Sequence, residues 1–145
     1  MELLEQYHEG LIALSACLAG EVQRYLVRGL YDEAKKTAQR YEACFGKGNY
    51  FLELQDHGIP DQKTVNAGLM RLSQELGIEL VSDKSEELCT AFDVIKPKVM
   101  YGKPCRGIVR STFLIDPQGR LAFEWRGVKV AGHVEAVLEK IRELS

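Results

Sequence analysis

At 145 residues the chain suits one compact domain, and a domain of that size hides roughly 68–70% of the surface its unfolded form exposes. Hydrophobic residues make up 46% of it and charged residues 28%, a balance that excludes a disordered tail. Nineteen Lys and Arg against 21 Asp and Glu leave a net charge of −2, too even for a dominant nucleic-acid footprint, and no apolar run nears the ~20 residues of a membrane helix.

The first residues, MELLEQYHEG, are polar and acidic and do not read as a signal peptide. GLIALSA at 10–16 has the length of a buried strand. A helix opens at Gly20 and Glu21, carries Val22, Tyr25 and Leu26 at three- and four-residue spacing, and ends at Gly29, since glycine takes the left-handed cap conformation at little cost. A second helix fits 31–45, with Ala34, Ala38, Tyr41 and Phe45 on one stripe, and Gly46 and Gly48 break it. NYFLELQ at 49–55 alternates as a strand with unequal faces. Asp56 to Pro60 is a loop, and 61–76 is a helix with Val65, Leu69, Leu72 and Leu76 in line, stopped by Gly77.

IELV at 78–81 is a third strand, and Asp83 with Glu86 has capping-box spacing before a helix through Leu88 and Phe92. Residues 95–107, with Pro97, Gly102, Pro104 and Gly107, read as irregular. IVRSTFLI at 108–115 is a strand, DPQG at 116–119 a type I turn, and LAFEWR at 121–126 the returning strand of a hairpin. The last helix begins near Gly132, with Val134, Val137, Leu138, Ile141 and Leu144 on one face. The element order predicts a single α/β domain over 1–145: a three-layer, thioredoxin-like sandwich with a mixed sheet of about five strands and a C-terminal hairpin and helix.

The four cysteines, at 17, 44, 89 and 105, include no CxxC pair and no zinc-finger spacing. Reduced thiols in the cytoplasm, of a recombinant host, are the expectation. Cys44 and Cys89 sit within helices and read as packing residues, whereas Cys105 falls in the irregular stretch. His8 and His133 read as surface residues near element ends, Asp56 and His57 as turn chemistry, and Phe123 and Trp125 as a packing pair on the hairpin. No carboxylate pair suited to acid–base work stands out, and Gly46-Lys47-Gly48 is too short to cradle a phosphate. The residues predict no cofactor, no metal, no nucleic-acid or membrane partner, and a monomer or weak homodimer.

Two resemblances meet in the chain. The stretches SDKSEELCTAFDVIK at 82–96, MYGK at 100–103, GIVRSTFLID at 107–116 and WRGVKVAGH at 125–133 resemble the C-terminal half of a peroxiredoxin of the bacterioferritin-comigratory type. EGLIALSACLAGEV at 9–22, YFLELQDHGIP at 50–60 and LGIELV at 76–81 resemble the later part of the PHP domain, the phosphoesterase-like module of the bacterial DNA polymerase III alpha subunit. The seam between 1–81 and 82–145 falls near Leu80 to Ser82, at the end of a strand. Natural fusions join whole domains through linkers, so the seam points to an engineered chimera with no evolved function.

Each resemblance implies a site that the chain carries only in part. The PHP resemblance places Cys17 at a metal-ligand position. The early paired histidines of that family are missing, and Ser82, Asp83 and Lys84 stand where an Asp and a His are expected. The peroxiredoxin resemblance makes Arg110 the active-site arginine, but the family's peroxidatic cysteine, preceded by Pro and Thr, has no counterpart. Cys17 follows the first strand and precedes a helix, roughly where a thiol nucleophile would stand. Cys17 is then either a small buried hydrophobe, as most free cysteines are, or the catalytic partner of Arg110 in a residual thiol peroxidase. A third possibility is a binding module that keeps a polymerase-derived contact surface.

Overall fold

The computed structural model describes residues 1–100 and 103–144, and the chain divides into two compact units, Met1–Lys84 and Ser85–Ser145. Among the described residues no helix is long and apolar enough to cross a membrane.

The first unit runs α1 (Glu2–Tyr7), β1 (Ala13–Leu14), α2 (Glu21–Val27), α3 (Tyr31–Phe45), β2 (Tyr50–Glu53), α4 (Pro60–Leu76) and β3 (Leu80–Val81). Its strands form a parallel sheet in the order β1-β2-β3, with Ala13 opposite Tyr50 and Leu52 opposite Leu80. Parallel strands need crossovers, and the helices supply them: α2 and α3 between β1 and β2, α4 between β2 and β3. Alternation along β2 buries Tyr50 and Leu52 and leaves Phe51 and Glu53 half-exposed. Tyr50 and Leu52 join Val22 and Leu26 of α2, Ala34, Ala38 and Phe45 of α3, and Val65, Leu69 and Leu72 of α4 in one core. Tyr50 stacks on Tyr41 and Phe45, with ring centroids 5.5 and 6.4 Å away. The α2–α4 contact depends on Gly68, because a methyl group there would lie 2.8 Å from a Leu26 methyl.

Three details depart from the sequence reading. The first residues form α1, with Glu2 and Glu5 in its first turn, where carboxylates favour the helix dipole; none of its residues is fully buried and Leu4 packs only partly against the core, so six residues offer too short a stripe to recognise. The strand expected over 10–16 shrinks to Ala13–Leu14 at the sheet edge, and Leu11, Ile12 and Leu14 are exposed. An edge strand pairs on one side only, and of its two residues Ala13 is the one that packs against the core. The capping box at Asp83 and Glu86 gives way to a later start, with Glu86 itself the N-cap residue at φ +57° and no side-chain cap.

The second unit runs α5 (Glu87–Ala91), β4 (Ile95–Met100), β5 (Lys103–Ile108), β6 (Ser111–Ile115), β7 (Leu121–Arg126) and α6 (His133–Leu144). The hairpin β6–β7 forms as expected, its turn closed by Asp116, whose Oδ1 accepts from the N–H groups of Gln118 and Arg120 at 2.9 Å. The stretch 95–107, expected to be irregular, is instead the antiparallel pair β4–β5. Gly102, one of its expected breakers, lies outside the described residues. Pro97 stands opposite Arg106 and Pro104 opposite Val99. A two-stranded ribbon consists of edges alone, the one setting in which strands tolerate prolines.

The α/β class is as expected, but the strands do not join in one mixed sheet of about five. Among the described residues they form the three-stranded parallel sheet and two antiparallel pairs, β4-β5 and β6-β7. In each pair the two strands satisfy one edge on each other, and Pro97 and Pro104 bring no N–H to a further ladder.

Candidate functional site

The strand ends of a parallel sheet are where open α/β folds place ligands, and Cys17 sits just beyond such an end. After β1 the chain turns sharply through Ala16, a non-glycine residue at φ +68°, a conformation that costs about 1–3 kcal/mol and persists only where its surroundings enforce it. Two groups enforce this one. Gln23 of α2 is buried, and its Nε2 donates to Ser15 Oγ at 2.7 Å and to the Ala16 carbonyl at 2.9 Å. Ser15 Oγ also accepts the backbone N–H of Glu53 at 2.9 Å, which fastens the turn to β2. Gly20 closes the turn, donating its N–H to the Cys17 carbonyl at 2.7 Å. A Cβ on Gly20 would lie 2.3 Å from the Ser15 carbonyl oxygen and 2.5 Å from Gln23 Oε1.

Cys17 is exposed on this turn; Cys44, Cys89 and Cys105 are half-buried. The buried-hydrophobe reading of Cys17 is thus corrected: the tight turn that Gly20 and Gln23 impose lifts the residue out of the core. Cys105, expected in an irregular stretch, lies within β5. Beside Cys17, Glu53, Gln55, Gln62 and Asn66 line a cavity of about 10 Å³, scarcely room for one water. Their polar groups are committed to one another: Gln55 Nε2 donates to Glu53 Oε1 at 2.6 Å, Asn66 Nδ2 to the Gln55 carbonyl at 3.0 Å, and Gln62 Oε1 accepts the His57 N–H at 2.7 Å. Asp56 caps its own loop, accepting from the Gly58 N–H at 3.2 Å.

The metal site implied by the PHP resemblance does not fit these residues. Cys17 and Glu53 share the cavity wall, but two donors close neither a tetrahedral nor an octahedral shell. Among the described residues no three His, Cys, Asp or Glu side chains converge on a point that would hold an ion.

Arg110 joins β5 to β6 in the second unit and is exposed. Its carbonyl accepts the Val128 N–H at 2.9 Å, and among the described residues its guanidinium holds no ion pair. Cys17 thus belongs to the first unit and Arg110 to the second. His133, read as a surface residue, is half-buried and meets Thr112 Oγ1 at 2.8 Å through Nε2. Sequence reasoning missed the Ser15–Gln23–Glu53 network: Ser15 lies inside an apolar run and Gln23 on a helix face that looks solvated. The one available signal was the glycine at 20, three residues after the cysteine.

Comparison with known proteins gives two families. The PHP domain model matches residues 1–57. Over 90 residues the chain is 42% identical to the DNA polymerase III alpha subunit of Saccharopolyspora erythraea, covering 62% of this chain and 8% of that protein. Over 69 residues it is 56% identical to peroxiredoxin Bcp of Xanthomonas campestris, covering 48% of this chain and 43% of that protein. Peroxiredoxin Bcp of Bacillus subtilis is 36% identical over 126 residues, which is 84% of this chain and 80% of the relative. By that span the chain belongs to the Bcp peroxiredoxin family, and its residues 1–57 are similar to the PHP domain. The chain spans less than half of the Xanthomonas relative and a small fraction of the polymerase subunit.

Proposed function

We propose that this protein is an engineered recombination of two α/β fragments and that it performs neither parental reaction. The observation that carries this reading is where the families meet. By the two resemblances, PHP-type sequence gives way to peroxiredoxin-type sequence near Leu80 to Ser82, next to the two-residue strand β3 and with no linker such as joins naturally fused domains; the Bacillus subtilis match, over 84% of the chain, runs across that point. The loss on each side is complementary. The front brings Cys17 without the other metal ligands, and the back brings Arg110 without the Pro- and Thr-preceded cysteine. Free thiols accord with a cytoplasmic setting.

Two assays test this. Peroxide consumption with dithiothreitol as reductant, and hydrolysis of bis(p-nitrophenyl) phosphate with added manganese or zinc, are both expected to stay at the blank rate. Saturable turnover in either assay contradicts the reading.

The exposure of Cys17 supports a second reading, a residual thiol peroxidase. Its thiolate would attack one peroxide oxygen and release the alcohol or water while becoming a sulfenic acid, which a thiol reductant returns to the thiol. Arg110 would stabilise the anionic nucleophile and leaving oxygen. This reading requires that peroxide turnover vanish in Cys17→Ser and fall in Arg110→Ala; turnover surviving Cys17→Ser refutes it.

A further inference from the structure

The second unit contains a cleft that neither family reading uses. It is an open, shallow cleft between β7, the loop 127–132 and the first residue of α6. Its wall is aromatic. Phe123 and Trp125 meet edge to face with centroids 4.7 Å apart, and His133 stands edge-on to Trp125 at 5.7 Å. The Thr112 contact holds the imidazole, and Lys140 Nζ lies over the Phe123 ring, 4.7 Å from its centroid.

The charges of the cleft are uneven. Its one carboxylate, Glu124, is matched by Arg126, whose Nη2 and Nε donate to it at 2.8 and 3.2 Å while Nη1 donates to the Asp93 carbonyl at 2.8 Å. Arg126 therefore neutralises the only acid of the lining and has little left to offer a ligand. Lys129, also in the lining, has no ion pair among the described residues. The result is an aromatic wall with one uncompensated cation.

We propose that this cleft binds a planar aromatic monoanion, its ring against Phe123 and Trp125 and its carboxylate at Lys129. Ring contacts of this kind add to what area burial gives, and the ammonium selects for the charge. Ring and charge are both required, so either alone binds more weakly.

Trp125 is the sole tryptophan of the chain, so its fluorescence and its indole N–H resonance report directly on the cleft. The experiment titrates the full chain with benzoate, with benzamide (ring without charge) and with cyclohexanecarboxylate (charge without ring). Benzoate is expected to give a saturable change at Trp125, and the other two to bind about tenfold more weakly. Lys129→Glu, on an exposed loop, is expected to weaken benzoate by about tenfold and leave benzamide unchanged. A response linear in benzoate, equal binding of benzamide, or indifference to Lys129→Glu would each overturn the proposal.

Discussion

Gly20 shows how much a single missing methyl group decides. The residue has an ordinary φ of −61°, so nothing about its backbone conformation demands glycine. The demand is steric, and it comes from the Ser15 carbonyl oxygen, which cannot swing aside as a side-chain end can. Gly20→Ala must open the turn and break the Gln23 bonds to Ser15 and Ala16. We expect a loss of about 1–3 kcal/mol in urea unfolding, with faster labelling of Cys17 by a thiol reagent. Unchanged stability would mean that the turn is loose in solution and that the Gln23 network does not hold it. Of the candidate site, the sequence made Cys17 and Arg110 legible through resemblance, because a motif names its residues. It did not make the turn legible, since Ser15 and Gln23 act through a contact eight residues apart that no periodicity encodes.

Between elements, α3 and α4 are tied by a charge cluster at the edge of the core. Glu75 of α4 accepts from Lys35 of α3 at 2.7 Å and from Arg71 of its own helix at 2.8 Å, and the Arg71 guanidinium also covers the Tyr31 ring at 4.0 Å. The Lys35 and Arg71 hydrogen bonds pull the Glu75 carboxyl down from 4.5 to about 2. A carboxyl lowered on folding stabilises the fold above its unfolded value and loses that contribution as pH falls through the folded one. The loss for Glu75 therefore runs from about pH 4.5 down to about pH 2. Solvent screens so exposed a cluster, so the expected effect is a change of slope. Glu75→Gln should flatten stability against pH across that window and leave the profile above pH 5 parallel to the parent. An identical acid slope in both proteins would show that the cluster contributes nothing to folding.

The elements themselves were legible wherever a stripe or alternation was strong. Helices α3 and α4 begin and end within a residue of their expected bounds, because glycine stops and an unbroken apolar stripe agree. The β4–β5 ribbon was not legible, since prolines and glycines that normally break a strand are harmless where every strand is an edge. Nor was the sheet connectivity, because strand propensity says that a segment pairs but not with which partner.

At the scale of the whole molecule, the two units differ in how they are held. Every buried apolar residue among those described, apart from Val94, lies in the first unit. The second relies on smaller contacts: Phe92 against Phe113 at 4.6 Å, Phe123 against Trp125, and Arg126 over Phe113 at 5.2 Å. Helix α6 has no buried residue, and Val134, Leu138 and Ile141 of its apolar face are exposed. A hairpin without a covering layer is marginal in water, and stability varies across a structure with its buried contacts. Amide hydrogen exchange should therefore protect β2, α3 and α4 most strongly and release β6, β7 and α6 much earlier. Equal protection in both units would show that the second gains a cooperative core in solution. Mismatched cores lose rigidity before stability, so this asymmetry accords with the recombination we propose.

On the function we propose, the two family segments share a chain without sharing a working site. The most direct test exposes the folded protein to dilute hydrogen peroxide, traps sulfenic acid, and follows Cys17, Cys44, Cys89 and Cys105 separately by mass spectrometry over time. Slow oxidation, ordered by exposure and unaffected by Arg110→Ala, is expected. Fast oxidation confined to Cys17 and lost in Arg110→Ala would contradict it, because a thiolate pocket would then have been rebuilt across the seam.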